Sequence, residues 1–221
     1  MSGLYAQLIL YGLAAAAAAP VAAVVSAFIL GKSSRPVPSA VAFVAGALLF
    51  DAIITVIVVV ALGRADASSD IGAYIDLGLG AIFLILGVVA IFQRETPEGE
   101  AKQRARVESL ASAGPKTLIT AGIAVQVINF DAIAVMASGL KEVVLGGTVG
   151  VAALIAILFL LALMLLPYYA PVVFYALRPA TAKPALVKMT DWIMSNARML
   201  EIVTGLGFGI VFAVKGYQAL V

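Results

Sequence analysis

Asp51 and Asp131 are the residues of this chain whose type and position most call for a chemical role. Asp51 stands between Leu48-Leu49-Phe50 and Ala52-Ile53-Ile54. Asp131 follows Asn129 in a second apolar stretch, with Gln126 one turn earlier. An ionised carboxylate at the centre of a membrane helix costs about 2.5–3.5 kcal/mol on insertion scales, so each should face the interior of a bundle. Two readings follow: a protonatable or ion-contacting group on a transport pathway, or a neutral Asp hydrogen-bonded between helices. The pathway reading is preferred for Asp131, which has Asn129 and Gln126 beside it, and both stay open for Asp51. Asp76, one turn after Asp70-Ile71-Gly72, is read as a carboxylate at the outer interface. No basic residue is expected deep in a helix, so neither Asp51 nor Asp131 is given a salt-bridge partner.

Other chemistry is absent by composition. The chain has no Cys and no His, which removes disulfides, thiol redox reactions, zinc sites and an imidazole base. A divalent cation would want more oxygen ligands than two carboxylates supply. No metal, cofactor or catalytic residue is therefore expected, and the chain is not read as an enzyme. Fourteen Lys and Arg against twelve Asp and Glu give a net charge of +2, too small to suggest a nucleic-acid partner.

The elements that must position these residues are membrane helices. Of 221 residues, 63% are hydrophobic and 12% charged, and the mean hydropathy is +1.12. A hydrocarbon core of about 30 Å needs about 20 apolar residues per helix. Six segments qualify, at 4–30, 40–62, 71–92, 117–140, 149–177 and 200–221, which predicts an all-α, polytopic, single-domain membrane protein. The first segment is too long for a signal-peptide core and has nothing basic before it, so it is read as a retained helix. The 93–114 loop reads as a solvated linker in which 102–110 could form a short surface helix. At 184–196, Leu186, Met189 and Ile193 fall at helical spacing with Trp192 beside them. This predicts a helix lying in the cytoplasmic interface, or else a polar start to segment six.

Basic residues divide unevenly between the two sides. The loops after segments one, three and five hold Lys32 and Arg35; Arg94, Lys102, Arg104, Arg106 and Lys116; and Arg178, Lys183, Lys188 and Arg198. The other side holds Arg64, Lys141 and Lys215. Positive charge stays cytoplasmic, so both termini should be extracytoplasmic. Lys32, Arg35, Lys188 and Trp192 then lie where anionic head groups could be met. Three helices per half force the halves into opposite orientations, the inverted-repeat plan of many transporters. Pro20 and Asn129 lie well inside the first helix of each half, where such folds unwind. Pro167 and Pro171 are expected to break segment five. Tyr168, Tyr169 and Tyr175 read as interface-belt residues, although Tyr168 could line a cavity. Gly205 and Gly209 form a small-xxx-small pair that suits packing within the chain more than a homo-oligomer.

Several motifs together resemble one family. They are a Pro-bearing first helix followed by Gly31-Lys32-Ser33-Ser34-Arg35-Pro36, and Ser112-Ala113-Gly114-Pro115-Lys116 leading to Gly122 and Asn129. Near the end come Leu186-Val187-Lys188-Met189-Thr190-Asp191-Trp192-Ile193 and a closing Val214-Lys215-Gly216. The chain is similar to the glycolipid- and peptidolipid-addressing (GAP) membrane proteins of mycobacteria, a branch of the lysine-exporter superfamily. The family's segment-four motif is Asn-Pro-Lys. Asn129 matches it, while Phe130 and Asp131 stand at the Pro and Lys positions. The resemblance implies six helices, a plasma-membrane location, outward movement of a surface lipid or glycolipid, and work beside a large exporter of the resistance-nodulation-division type. A lipid cargo leads one to expect a lateral opening lined by small residues such as the Ala14–Ala19 run or Gly205 and Gly209. The alternatives are a small-solute or cation exporter and a non-transporting accessory subunit.

Overall fold

The computed structural model describes residues 2–64, 71–92, 105 and 107–220. The described residues form ten principal helices and no strand: α1 (Ser2–Ala17), α2 (Pro20–Lys32), α3 (Pro36–Leu62), α4 (Ile71–Phe92), α5 (Pro115–Ile128), α6 (Phe130–Leu145), α7 (Gly150–Met164), α8 (Leu166–Leu177), α9 (Pro179–Ser195) and α10 (Ala197–Gln218). In a hydrocarbon solvent every backbone polar group must be bonded within the segment, so an apolar chain of this kind becomes helix. A proline sits at the first or second position of α2, α3, α5, α8 and α9. There the missing N–H costs nothing and the fixed φ suits the helix.

Three helices cross without interruption: α3, α4 and α10. The other three crossings are bent pairs. α1 and α2 meet at 63°, α5 and α6 at 76°, and α7 and α8 at 74°. Six crossings result, but segments one, four and five are each two helices rather than one. The break before Pro20 falls at Ala19 (φ −115°, ψ 49°). The one in segment four falls at Asn129 (φ −81°, ψ 52°). The two share a similar ψ, whereas Leu165 between α7 and α8 has ψ 3°. Pro171 is a correction: α8 runs through it without a break. Segment five bends before Pro167 instead, and Pro171 in the second turn of α8 removes a single ladder bond. The interface helix expected at 184–196 also differs in extent. α9 starts at Pro179 and carries Pro184 inside it.

Glycines decide which helices approach closely. A Cβ at Gly46 on α3 would strike the Ile119 carbonyl, and one at Gly122 on α5 would strike the Phe43 carbonyl. α4 and α10 mesh the same way. Gly80 faces the Ala213 backbone, Gly87 faces Gly205, Gly209 faces Leu84, and Gly216 faces Leu77. The Gly205 and Gly209 pair is thus spent inside the chain. The packing also follows the division into halves. α1 packs on α7 as α5 packs on α3, and α2 packs on α8 as α6 packs on α3. α4 pairs with α10, its counterpart.

The core is in two parts. One, around Leu8, Tyr11, Met136, Leu140, Leu160 and Phe212, joins α1, α6 and α7 to α4 and α10. The other, around Ile29, Phe43, Leu118, Tyr168 and Leu186, joins α2, α3, α5, α8 and α9. Most of the 93–114 loop lies outside the described residues. Within it Val107–Leu110 is helical, and Val107 is buried against the second part of the core, so that stretch is not merely solvated linker.

Candidate functional site

The broken helices surround a cavity of ≈ 320 Å³. Ala17, Ala18, Pro20 and Val21 line it from the first break, and Ile128, Asn129 and Asp131 from the second. Phe83, Leu86, Val89 and Ala90 of α4 and Leu200, Glu201, Thr204 and Gly205 of α10 close the far side. Most of the wall is apolar. Leu86, Val89 and Ile128 are exposed, so the cavity is open rather than sealed. Of the small residues expected at an opening, Ala17, Ala18 and Gly205 line it, while Gly209 is packed on Leu84 instead.

Asn129 sits at the point where α5 ends and α6 begins. Asn is a favoured N-cap residue because its side chain can accept an N–H of the next turn. Here it makes no such bond. It is 8% exposed, and its side chain lies beside the Tyr168 hydroxyl. Asp131, half-buried in the first turn of α6, accepts the N–H of Ala132 at 2.9 Å. An acid in that turn also meets the positive end of the helix dipole.

Beside the breaks runs a chain of buried polar groups. Gln126 donates its Nε2 to Asp51 Oδ2 at 2.6 Å and accepts the Tyr168 hydroxyl at 2.8 Å. Asp51 and Gln126 are both fully buried. Ser26 donates to the Tyr168 carbonyl at 2.9 Å. Four helices, α2, α3, α5 and α8, are thereby tied together. Asp51 Oδ1 has no partner among the described residues. Asp51 bonds to Gln126 and Asp131 to its own helix, so the two carboxylates serve different places. Tyr168 is a correction: it is a core residue stacked on Phe43 at 5.5 Å, not a belt residue.

A second polar cluster was not expected from the sequence. Asp76 is 1% exposed rather than interfacial, and Lys141 is 6% exposed. They form an ion pair at 2.7 Å, and Lys141 also donates to the Gly72 carbonyl at 2.9 Å. Lys215 pairs with Glu142 at 2.8 Å and lies over the Tyr11 ring, bonding its hydroxyl. Ser138 donates to Asp76 at 3.3 Å. The cluster joins α1, α4, α6 and α10. Lys141 and Lys215 lie near the ends of α6 and α10 rather than deep in a helix, and they pair with Asp76 and Glu142, not with Asp51 or Asp131. Lys141 is distant in sequence from Asp76, and Lys215 from Glu142 and Tyr11, and only the packing brings them together. The i, i+1 neighbours Lys141 and Glu142 were the only local hint.

Lys32, Arg35, Lys188 and Trp192 are all exposed, away from the cavity lining. Arg198 is used otherwise: its Nε donates to the Ala90 carbonyl at 3.0 Å, capping the end of α4.

The family described as SfLAP (Sap, sulfolipid-1-addressing protein) matches residues 8–218. The chain belongs to this family. No curated protein and no solved structure matches. The matched range spans both helix breaks, the cavity, both polar clusters and α9. It agrees with the resemblance to mycobacterial lipid-addressing proteins and makes this a lipid-related membrane protein.

Proposed function

We propose that the protein takes part in moving a lipid or glycolipid outward to the cell surface, and that the cavity at the two helix breaks receives it. The cavity carries this reading. Its volume, ≈ 320 Å³, is at the lower end of ligand pockets, about 300–1,000 Å³. That is enough for a head group or a length of chain, but not for a whole membrane lipid. Exposed Leu86, Val89 and Ile128 at its border let the remaining chains stay in the bilayer. A polar solute would need hydrogen-bonding groups all round it in exchange for its water, and this wall is mostly apolar.

The reading includes a plasma-membrane location with both termini outside. Eleven of fourteen basic residues fall on the side called cytoplasmic. Of the three on the other side, Lys141 and Lys215 are taken up in ion pairs within the fold, which leaves Arg64 as the exposed one. The asymmetry presented to the membrane is therefore steeper than the sequence tally. In this reading the chain carries rather than catalyses, in keeping with the transporters of the lysine-exporter superfamily. A large exporter of the resistance-nodulation-division type is the partner to seek.

Deletion of the gene in its host, with surface-extractable and total lipids compared, tests the proposal. Loss of one surface lipid with retention inside the cell is the expected result. An unchanged surface profile with sensitivity to an amino acid or metal ion would instead establish a solute exporter. Purified protein in liposomes separates carrier from accessory: a carrier moves a labelled lipid unaided.

A further inference from the structure

We infer that Asp51 is a proton-binding site, and that its proton is released and retaken as α3 and α5 part and close. This names a coupling ion for the carrier and does not depend on which cargo is moved.

Asp51 is the one ionisable residue of α3, and it is fully buried. Among the described residues it makes no ion pair. One donor reaches it, Gln126 Nε2 at 2.6 Å on Oδ2, and none reaches Oδ1. An ionised carboxylate has about four acceptor sites to fill, and here one is filled. A charge buried in that way without a cation is neutralised instead, by taking a proton. With the proton on Oδ1, the oxygen facing Gln126 is a carbonyl that the single bond satisfies. The neighbouring helices bring no compensating charge. α5 contributes Gln126, α8 contributes Tyr168, and α2 contributes Ser26 to the same network. Tyr169 and Tyr175, the other titratable groups of α8, are partly exposed, and Lys32 of α2, Arg35 before α3 and Lys116 of α5 are exposed. On α6, Asp131 is bonded to the Ala132 N–H, and Lys141 and Glu142 belong to the other cluster.

The place of Asp51 in the packing makes that proton a switch. Asp51 and Gln126 lie one turn beyond Ala47 and Gly122, where α3 and α5 touch through backbone: a Cβ on Gly122 would strike the Phe43 carbonyl and the Ala47 nitrogen. Gln126 stands one turn before the break at Asn129, and Tyr168 one turn after the break at Leu165. The Asn129 side chain lies beside the Tyr168 hydroxyl. Asp51 therefore ends a line of side chains that reaches two of the three breaks. When the proton leaves Oδ1 for water, the carboxylate needs donors that the closed packing does not hold. It gains them where α3 moves off α5 and water enters. Closure and proton binding are thus linked: whatever parts the two helices releases the proton, and loss of the proton favours parting.

The test uses the full chain in nanodiscs and no cargo. Infrared spectra should show a protonated-carboxyl band that Asp51→Asn removes and Asp131→Asn keeps. Loss of that band with rising pH marks the range in which Asp51 ionises. Ala47→Cys, at a fully buried position between α3 and α5, reports their parting by its rate of reaction with a small thiol reagent. The rate is taken relative to exposed Ser34→Cys, so that ionisation of the thiol cancels. Within the marked range the ratio should rise by about tenfold per pH unit, the slope for one proton released on opening. In Asp51→Asn, which keeps an oxygen for Gln126, it should stay flat. Absence of the band, its survival in Asp51→Asn, or a flat ratio with Asp51 in place would each overturn the inference and leave the lipid reading standing. Thr55→Cys, one turn beyond Asp51, replaces Ala47→Cys if the latter does not fold. Should Asp51→Asn not fold, the slope with Asp51 in place decides. A chain with the expected slope that moves no lipid would keep its proton site and lose the lipid reading.

Discussion

Gln126 shows how much can depend on one buried amide. Its two ends are both engaged, one by Asp51 and one by Tyr168. Gln126→Leu would strand a fully buried carboxyl and a hydroxyl together. The expected loss is about 2–3 kcal/mol, since leaving a buried polar group unsatisfied costs about 1–3 kcal/mol and more if it is charged. Tyr168→Phe removes one hydroxyl and keeps the ring against Phe43, so about 1 kcal/mol is expected. Thermal unfolding in detergent orders the two; an equal or greater loss for Tyr168→Phe would show that Gln126 does not hold Asp51. Lys141 carries a different cost. Lys141→Met leaves Asp76 buried beside a more distant Lys215, 3.8 Å away. About 3–5 kcal/mol is expected, because breaking a buried pair leaves an uncompensated charge. Adding Asp76→Asn to Lys141→Met should recover a good part of it, and a double variant no better than the single one would mean the pair is not coupled.

At the scale of elements, close packing rests on glycines whose neighbours are backbone. Backbone cannot move aside as a flexible side chain can. Gly122→Val would drive its side chain into the Phe43 carbonyl and separate α3 from α5. These are the helices that hold Asp51 and Gln126 together. Gly207→Val on α10 meets nothing within 4 Å. Gel filtration of membrane extracts should show no monodisperse Gly122→Val protein and a normal yield of Gly207→Val. Equal behaviour of the two would place the α3–α5 contact in doubt. The breaks are the other feature at this scale. Pro20 lies at the first helical position of α2, so it marks the break from one side. Asn129 has no proline after it. There the chain leaves helical geometry without the residue that usually forces it, and tertiary packing holds the bend.

For the whole molecule, the topology has a direct test. The chain has no Cys, so single cysteines can be introduced without removing any. Ser34→Cys and Lys183→Cys should resist a membrane-impermeant maleimide in intact cells, and Gly147→Cys should react. The reverse pattern would invert the orientation and place the Asp76–Lys141 cluster on the cytoplasmic side. With the orientation as proposed, that cluster fastens the outer ends of α1, α4, α6 and α10, while the cavity lies nearer the cytoplasmic ends of α4 and α10.

Length and hydropathy settled the class of this protein without any structure. A helix in lipid must bond its own backbone, so an apolar run of about 20 residues has one outcome. Pro20 likewise announced a break from the sequence, because a proline inside a long helix removes a bond wherever it stands. Pro171 did not act that way, because a helix starting at Leu166 had already absorbed the bend. The pairings were beyond sequence reasoning. Asp76 with Lys141, Lys215 with Glu142 and Tyr11, and Gln126 with Asp51 and Tyr168 each join segments far apart in the chain. Periodicity shows that a polar residue must face inward, but not what it will face. That depends on which helices approach, and the approach was set by glycine against backbone across α3–α5 and α4–α10. The cavity belongs to the same class of fact. It exists because two bent crossings place their breaks opposite α4 and α10, a relation between segments that no single stretch of residues contains.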